Sequence, residues 1–302
     1  MIYTSENDWY QWQYDSVSFE RSTSPDQKFS TVLTRASKSV ASFKQSVIDN
    51  SSSILDHYPG MRPCVMFSGG ADSDVALRTF KELGANPIAY IFKYEDNINA
   101  YDVEYALQIV KGLNVDYKIV DFRLKSFFTN DAEKISEIAQ VDQAQALPQL
   151  KFMDYVDGLA IYAASDPSWF RVDNNYSTRS GWLMRCWEHD IGWSKYIKTL
   201  NRPAVMEWWK WTPELVLAFT KTEWFNKLIN DQYYGKLGIN STKIIGYREA
   251  FPDLVLRGKK TGFESCMDLI TEFENFLSDK NNGLIFRRYY DRSLEDLHIS
   301  LV

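Results

Sequence analysis

Cys64-Val-Met-Phe-Ser-Gly-Gly-Ala-Asp-Ser-Asp74 is the stretch that decides the fold of this 302-residue chain. Cys64 to Phe67 is a short apolar run of the length of a buried strand, and it stops abruptly at Ser68-Gly69-Gly70. Ser73 is then in place to cap a helix carrying Val75, Ala76, Leu77 and Phe80. Two successive glycines let the backbone turn sharply and bring its N–H groups against an anion, while the helix start adds unpaired donors and a partial positive charge. Ser68, Gly69, Gly70, Ala71, Asp72 and Ser73 thus read as a cradle for phosphate, with Met66 beside it at the strand's end.

The lysine-bearing phosphate loop G-x-x-x-x-G-K-[ST] is absent, because Ala71, Asp72, Ser73 and Asp74 follow Gly70. A carboxylate facing polyphosphate makes electrostatic sense when Mg²⁺ sits between them, which makes Asp72 the first candidate metal ligand. The wording S-G-G-x-D-S resembles the loop of the ATP pyrophosphatase superfamily. That resemblance implies ATP and Mg²⁺ as cofactors and cleavage of ATP to AMP and pyrophosphate while a substrate is adenylated.

Composition bounds the rest. With 45% hydrophobic and 15% aromatic residues the chain has ample material for one large core or two modest ones. The formal charge of -6 supplies no whole-chain basic field for nucleic acid, and this favours a small-molecule substrate. No basic segment leads into an apolar core at the N-terminus, and no apolar run approaches the roughly 18 residues that span a bilayer, so the expected setting is the cytoplasm, with no membrane. Cys64, Cys186 and Cys266 are three in number and widely spaced, which fits neither a disulfide framework nor a C-x-x-C site. Sulfur-transfer readings lose ground accordingly.

In chain order, Trp9 to Phe19 alternates at the period of strands and reads as a hairpin or edge strand, and Ser22-Thr-Ser-Pro25-Asp26 breaks it. Phe29, Val32, Leu33, Ala36, Val40, Phe43, Val47 and Ile48 recur at helical spacing, which predicts an amphipathic helix. After the loop helix, strands over Pro87–Phe92 and Asp116–Asp121 alternate with a helix over Asp102–Lys111, and a fourth strand over Gly158–Ala164 follows a helical stretch. Such alternation predicts an α/β fold with a parallel, doubly wound sheet and right-handed crossovers. Ligands in these sheets bind at the carboxyl ends of the strands, where Ser68 to Ser73, Phe92 and Asp166 all fall. Asp166, before Pro167, is either a second Mg²⁺ ligand or a turn-forming aspartate. The expected organisation is an N-terminal extension over 1–25, a nucleotide-binding α/β domain over 26–166, and a mainly helical part over 167–302 that completes the site.

Eight of the ten tryptophans fall between Trp169 and Trp224, and core packing accounts for them better than a pocket lining does. Further on, Lys243-Ile-Ile-Gly-Tyr-Arg-Glu-Ala-Phe-Pro-Asp-Leu-Val-Leu-Arg-Gly-Lys-Lys-Thr-Gly-Phe263 is similar to the end of the synthetase domain of asparagine synthetases and β-lactam synthetases. In that family a Lys-x-x-x-Arg helix is followed by an Arg-x-Lys-x-Gly-Phe loop. The resemblance implies an adenine nucleotide alpha hydrolase-like sheet and a catalytic lysine that contacts the α-phosphate and pyrophosphate. Lys259 matches it best, and Lys260 is the alternative because Thr261 lengthens the loop by one residue.

The resemblance departs from the family in two places. The Gly-x-Gly-x-Asp-Glu motif has no clean copy, and Ala164-Ser165-Asp166 stands nearest to it. Residue 2 is Ile rather than a nucleophilic Cys, and about 60 residues before the loop are fewer than a glutaminase domain needs, so the expected nitrogen donor is ammonia or an amine rather than glutamine. The leading reading is an AMP-forming amide or C–N ligase acting on a small-molecule carboxylate or amide. A sulfur transferase or other nucleotide-modifying enzyme of the same superfamily, and a catalytically silent ATP-binding protein, remain open beside it, as does the oligomeric state.

Overall fold

The computed structural model describes residues 10–15, 27–33, 36, 39–40, 42–163, 168–172, 181–225, 244–255, 261–280 and 289–293. Its centre is a five-stranded, all-parallel sheet of β3 (Pro63–Met66), β4 (Ile88–Tyr94), β5 (Asp116–Phe122), β6 (Leu159–Ile161) and β9 (Ala204–Val205), in the order β5-β4-β3-β6-β9. The chain leaves β3 towards β4 on one side, while β6 lies on the other. The order therefore reverses at β3, and such a switch point opens a crevice beyond the strand's carboxyl end. Ser68 begins the turn at that point.

Period-two geometry divides each central strand between two cores. Val65, Ala89 and Ile91 face a core shared with α1 (Phe43–His57), α2 (Ala71–Glu82), α3 (Ala100–Gly112) and α8 (Pro213–Phe219). Cys64, Tyr90 and Phe92 face the opposite core, with α4 (Leu124–Asn130), α5 (Ala132–Ala139), α6 (Leu147–Lys151), α7 (His189–Leu200) and α9 (Met267–Lys280). Both faces are covered, which is why β4 reads as a continuous apolar run from Ile88 to Phe92 rather than as an alternating one. The expected doubly wound α/β sheet is what the chain forms. No helix among the described residues is long and apolar enough to cross a membrane.

Three local expectations are corrected. The helix predicted to start at Phe29 starts at Phe43, where the Ser42 hydroxyl accepts the Gln45 N–H at 3.1 Å. Ahead of it, β2 (Phe29–Leu33) pairs antiparallel with β1 (Tyr10–Tyr14). Buried Phe29 and Thr31 alternate there with exposed Lys28 and half-buried Ser30, so a strand period wins over a helical spacing that fitted the same apolar residues. Tyr14 fastens this hairpin to the body by donating its hydroxyl to Glu188 at 2.8 Å.

The second correction concerns Ser73, which does not cap α2. Gly70 occupies the cap position, and the Ser73 hydroxyl donates back to the Gly70 carbonyl at 3.1 Å. The third is an addition to the helices of the second half. β7 (Ser168–Val172), β8 (Gly181–Trp187) and β10 (Tyr289–Ser293) form an antiparallel sheet in the order β10-β8-β7. Aromatic residues favour strands as readily as helical cores, and their density alone does not separate the two. Trp193, Trp208, Trp209, Trp211 and Trp224 are buried, in keeping with a packing role.

Candidate active site at the carboxyl edge of the sheet

Past β3, the Phe67 N–H still bonds the Tyr90 carbonyl at 2.8 Å, and the chain then turns at Ser68. Gly69 has φ +73, and a Cβ there would lie 3.1 Å from the backbone nitrogen of Ala106 in α3. A side chain would demand both a left-handed backbone and a retreat of the helix, so the turn needs glycine. Gly70 is extended and hands the chain to α2, whose first turn carries Asp72 and Asp74 where the helix dipole favours negative charge.

The two aspartates have different surroundings. Asp74 is buried, and its carboxylate accepts from Arg78 Nε at 2.8 Å, while Arg78 also reaches Asp253 at 2.6 Å. Burial pushes the Asp74 carboxyl above its ordinary range against the pull of Arg78, whereas Asp253 is held below it chiefly by the Arg78 hydrogen bond. This trio pins α2 to the segment around Asp253. Asp72 instead accepts the Tyr247 hydroxyl at 2.6 Å. The Tyr247 ring is stacked on Trp209, 4.7 Å between centroids and 9° from parallel.

Beside the loop lies a cleft of about 90 Å³ lined by Met66, Ser68, Phe92, Tyr94, Asn99 and Thr261 among others. Asn99 holds the end of β4 open with two bonds, donating to the Phe92 carbonyl at 2.8 Å and accepting the Tyr94 N–H at 2.9 Å. Burial, reinforced by the nearby Asp102 and Glu95 carboxylates, pushes the Tyr94 hydroxyl well above its ordinary pKa and keeps it a neutral donor. The far wall comes from the second half of the chain. Gly262, at φ +85, presses so close to Ile98 that a Cβ would stand 2.7 Å from its Cγ2. The Glu264 carboxylate accepts the Gly262 N–H at 2.8 Å and the Thr261 hydroxyl at 3.0 Å. Partial burial works against ionisation of Glu264, and hydrogen bonds from its own backbone, from Thr261 and from Gly262 outweigh it and lower the pKa.

Of the residues singled out in the sequence, the structure brings Met66, Ser68 and Phe92 to one cleft, with Gly69, Gly70, Ala71, Asp72 and Ser73 forming the turn beside it. Asp166, Lys259 and Lys260 lie outside the described residues. Asn99 and Tyr247 were missed. Asn99 stands at the start of α3, just ahead of the helix read over Asp102–Lys111, and nothing in the spacing around Tyr247 points to a contact 175 residues away.

The donors at the turn fit Mg-ATP rather than a metal caged by protein alone. A helix N-terminus supplies N–H groups for phosphate, and Mg²⁺ commonly takes one or two carboxylates together with phosphate oxygens and water. No group of three His, Cys, Asp or Glu side chains fit to hold a metal occurs among the described residues. Cys64, Cys186 and Cys266 are buried thiols outside any disulfide, and burial pushes the Cys64 thiol up to about 11. A thiol in that state is a poor nucleophile at neutral pH.

A family profile described as "Queuosine biosynthesis protein QueC" matches residues 62–159. A search of curated proteins finds no match. Among solved structures the chain is similar to NMN synthetase from Francisella tularensis, at 17% identity and a TM-score of 0.36, over 80% of this chain and 95% of that one. A score that low is too loose to bear on function. The profile match spans the loop, its helix and the strands β3 to β5, and what it supports there is the ATP pyrophosphatase superfamily at large, and an ATP-using enzyme, rather than the asparagine synthetases in particular.

Proposed function

We propose that the chain is a Mg²⁺-dependent, AMP-forming ligase that joins ammonia or an amine to a small-molecule carboxylate or amide. The observation that carries this reading is the S-G-G-x-D-S turn at the switch point of a parallel sheet, with backbone N–H groups at the start of α2 beside an open cleft. In this reading the turn from Ser68 to Ser73 holds the β- and γ-phosphates, and Met66 and Phe92 line the cleft for the rest of the nucleotide. An acceptor oxygen attacks the α-phosphorus as its bond to the bridging oxygen breaks and pyrophosphate leaves. The amine then adds to the activated carbon, AMP departs with the acceptor oxygen, and the amine's proton passes to solvent. Mg²⁺ would be held by Asp72, with Asp166 the candidate second ligand, and supplies charge neutralisation on the departing pyrophosphate. Lys259, or Lys260, is the candidate residue for the negative charge that grows there.

Incubation with Mg-ATP, an amine or ammonia and a library of carboxylates and amides is expected to yield AMP and pyrophosphate. ADP and phosphate as the main products would overturn the assignment. Robust glutamate release from glutamine would overturn the assignment of the nitrogen donor.

Asp72→Asn is expected to lose the Mg²⁺-dependent part of ATP affinity, because it keeps the shape of the side chain and removes the charge that holds a hard cation. Calorimetric titration with Mg-ATP and with ATP in EDTA checks this. Equal Mg²⁺ dependence in parent and variant would remove Asp72 from the site.

A second reading, an ATP-dependent nucleotide-modifying enzyme, is favoured by the family match over residues 62–159. Within it, the buried cysteines and the raised pKa of Cys64 speak against a protein-borne sulfur carrier. Nucleosides and nucleobases in the same product assay separate the two readings.

A further inference from the structure

We infer that Tyr247 is a positioning residue for the Asp72 carboxylate, and that the aromatic stack behind it fixes the geometry of the metal-binding turn. The inference rests on the reading of Asp72 as a Mg²⁺ ligand. Tyr247 is fully buried, and a buried phenol needs a hydrogen-bond partner. Its 2.6 Å bond to Asp72 Oδ1 has the length of a charge-assisted O–H···O⁻ contact, roughly twice as strong as a neutral one.

The ring itself is immobilised on three sides. It lies nearly parallel to Trp209 and to Phe43, 4° from parallel with the latter, and meets the edge of Phe219 at 6.1 Å. Packing of that kind is served equally well by phenylalanine, so the stack does not explain the hydroxyl. Asp72 does. A carboxylate on the first turn of a helix has several rotamers open to it, and one strong bond from an immobile donor selects one of them. Groups that orient metal ligands in this way typically matter 10- to 100-fold in metal affinity.

The test uses Tyr247→Phe, which removes one oxygen and keeps the stack, and α,β-methylene-ATP, which is not cleaved at the bond in question. Calorimetry gives the affinity for this analogue across a Mg²⁺ series and in EDTA, in the parent, Tyr247→Phe, Asp72→Asn and the double variant. The expected result is a Mg²⁺ requirement shifted about 10- to 100-fold upward in Tyr247→Phe. Affinity in EDTA should be unchanged, and Tyr247→Phe should add nothing in the Asp72→Asn background.

A hydroxyl that only supports the core would lower the melting temperature and leave the ratio of the two affinities alone. Because both are measured on the same folded fraction, that ratio is insulated from any loss of stability. A parent that requires Mg²⁺ through Asp72, with a Tyr247→Phe variant of the same requirement, overturns this inference and leaves the proposed function standing. A parent whose affinity ignores Mg²⁺ overturns both.

Discussion

Trp209→Ala is expected to lower the free energy of unfolding by about 3–5 kcal/mol, the usual cost of emptying a large aromatic site in a core that relaxes only in part. Trp209 is fully buried, and its Nε1 donates to the Ala163 carbonyl at 2.8 Å, just beyond β6. Its ring meets Tyr247 face to face and Trp208 and Phe219 edge-on, at 4.5 Å and 5.3 Å between centroids. Truncation thus opens a cavity, leaves a carbonyl without its donor and removes the surface on which Tyr247 rests. Urea unfolding of parent and variant measures the loss. A change under about 1 kcal/mol would show that the surrounding rings close over the gap, which a stack held on several sides at once does not readily do.

The second large effect is kinetic. Lys259→Ala is expected to lower kcat for AMP formation on the order of 10²- to 10³-fold, about 3–4 kcal/mol, with little change in KM for ATP. The separation follows from the role proposed for it: a cation that meets charge developing on pyrophosphate acts more strongly in the transition state than in the ground state, and only such interactions accelerate chemistry. The proposal draws on the residues that follow, since Thr261, two positions on, lines the cleft and Gly262 is wedged against Ile98. Lys260→Ala measured alongside decides the register. Parent-like rates in both variants would make this turn an ordinary solvated surface, and a collapse confined to Lys260 would move the role by one residue.

The sheet was legible because β3, most of β4 and β6 are short apolar runs separated by helices of ordinary length, and because Ser68-Gly69-Gly70 can be little else than a turn into a helix. Elsewhere two periods competed for the same residues, as at Phe29 to Leu33, where three or four apolar positions satisfied a helix and a strand alike. The fifth strand, Ala204–Val205, is two residues long and leaves no periodic trace. In the candidate site, the turn could be read because it is contiguous. Tyr247 and the Thr261 wall could not, because their roles depend on contacts between segments far apart in the chain, and a single sequence carries no mark of which of its many tyrosines will meet which aspartate.

The pairing order of the central sheet also sets a timetable for the nascent chain. β6 aligns Ile161 with Val65 on one side and with Val205 on the other. Synthesis reaches Ile161 with the first partner already made and the second still to come. At about 5–20 residues per second, the stretch between them takes roughly 2 to 9 s to emerge. Throughout that interval β6 presents an apolar edge with unanswered backbone groups, the kind of surface that recruits other strands. Chaperone demand, and the yield of soluble protein on overexpression, should therefore be decided while residues 162–205 are leaving the ribosome, and slowing translation within that stretch should cost more yield than slowing it after β9 has docked.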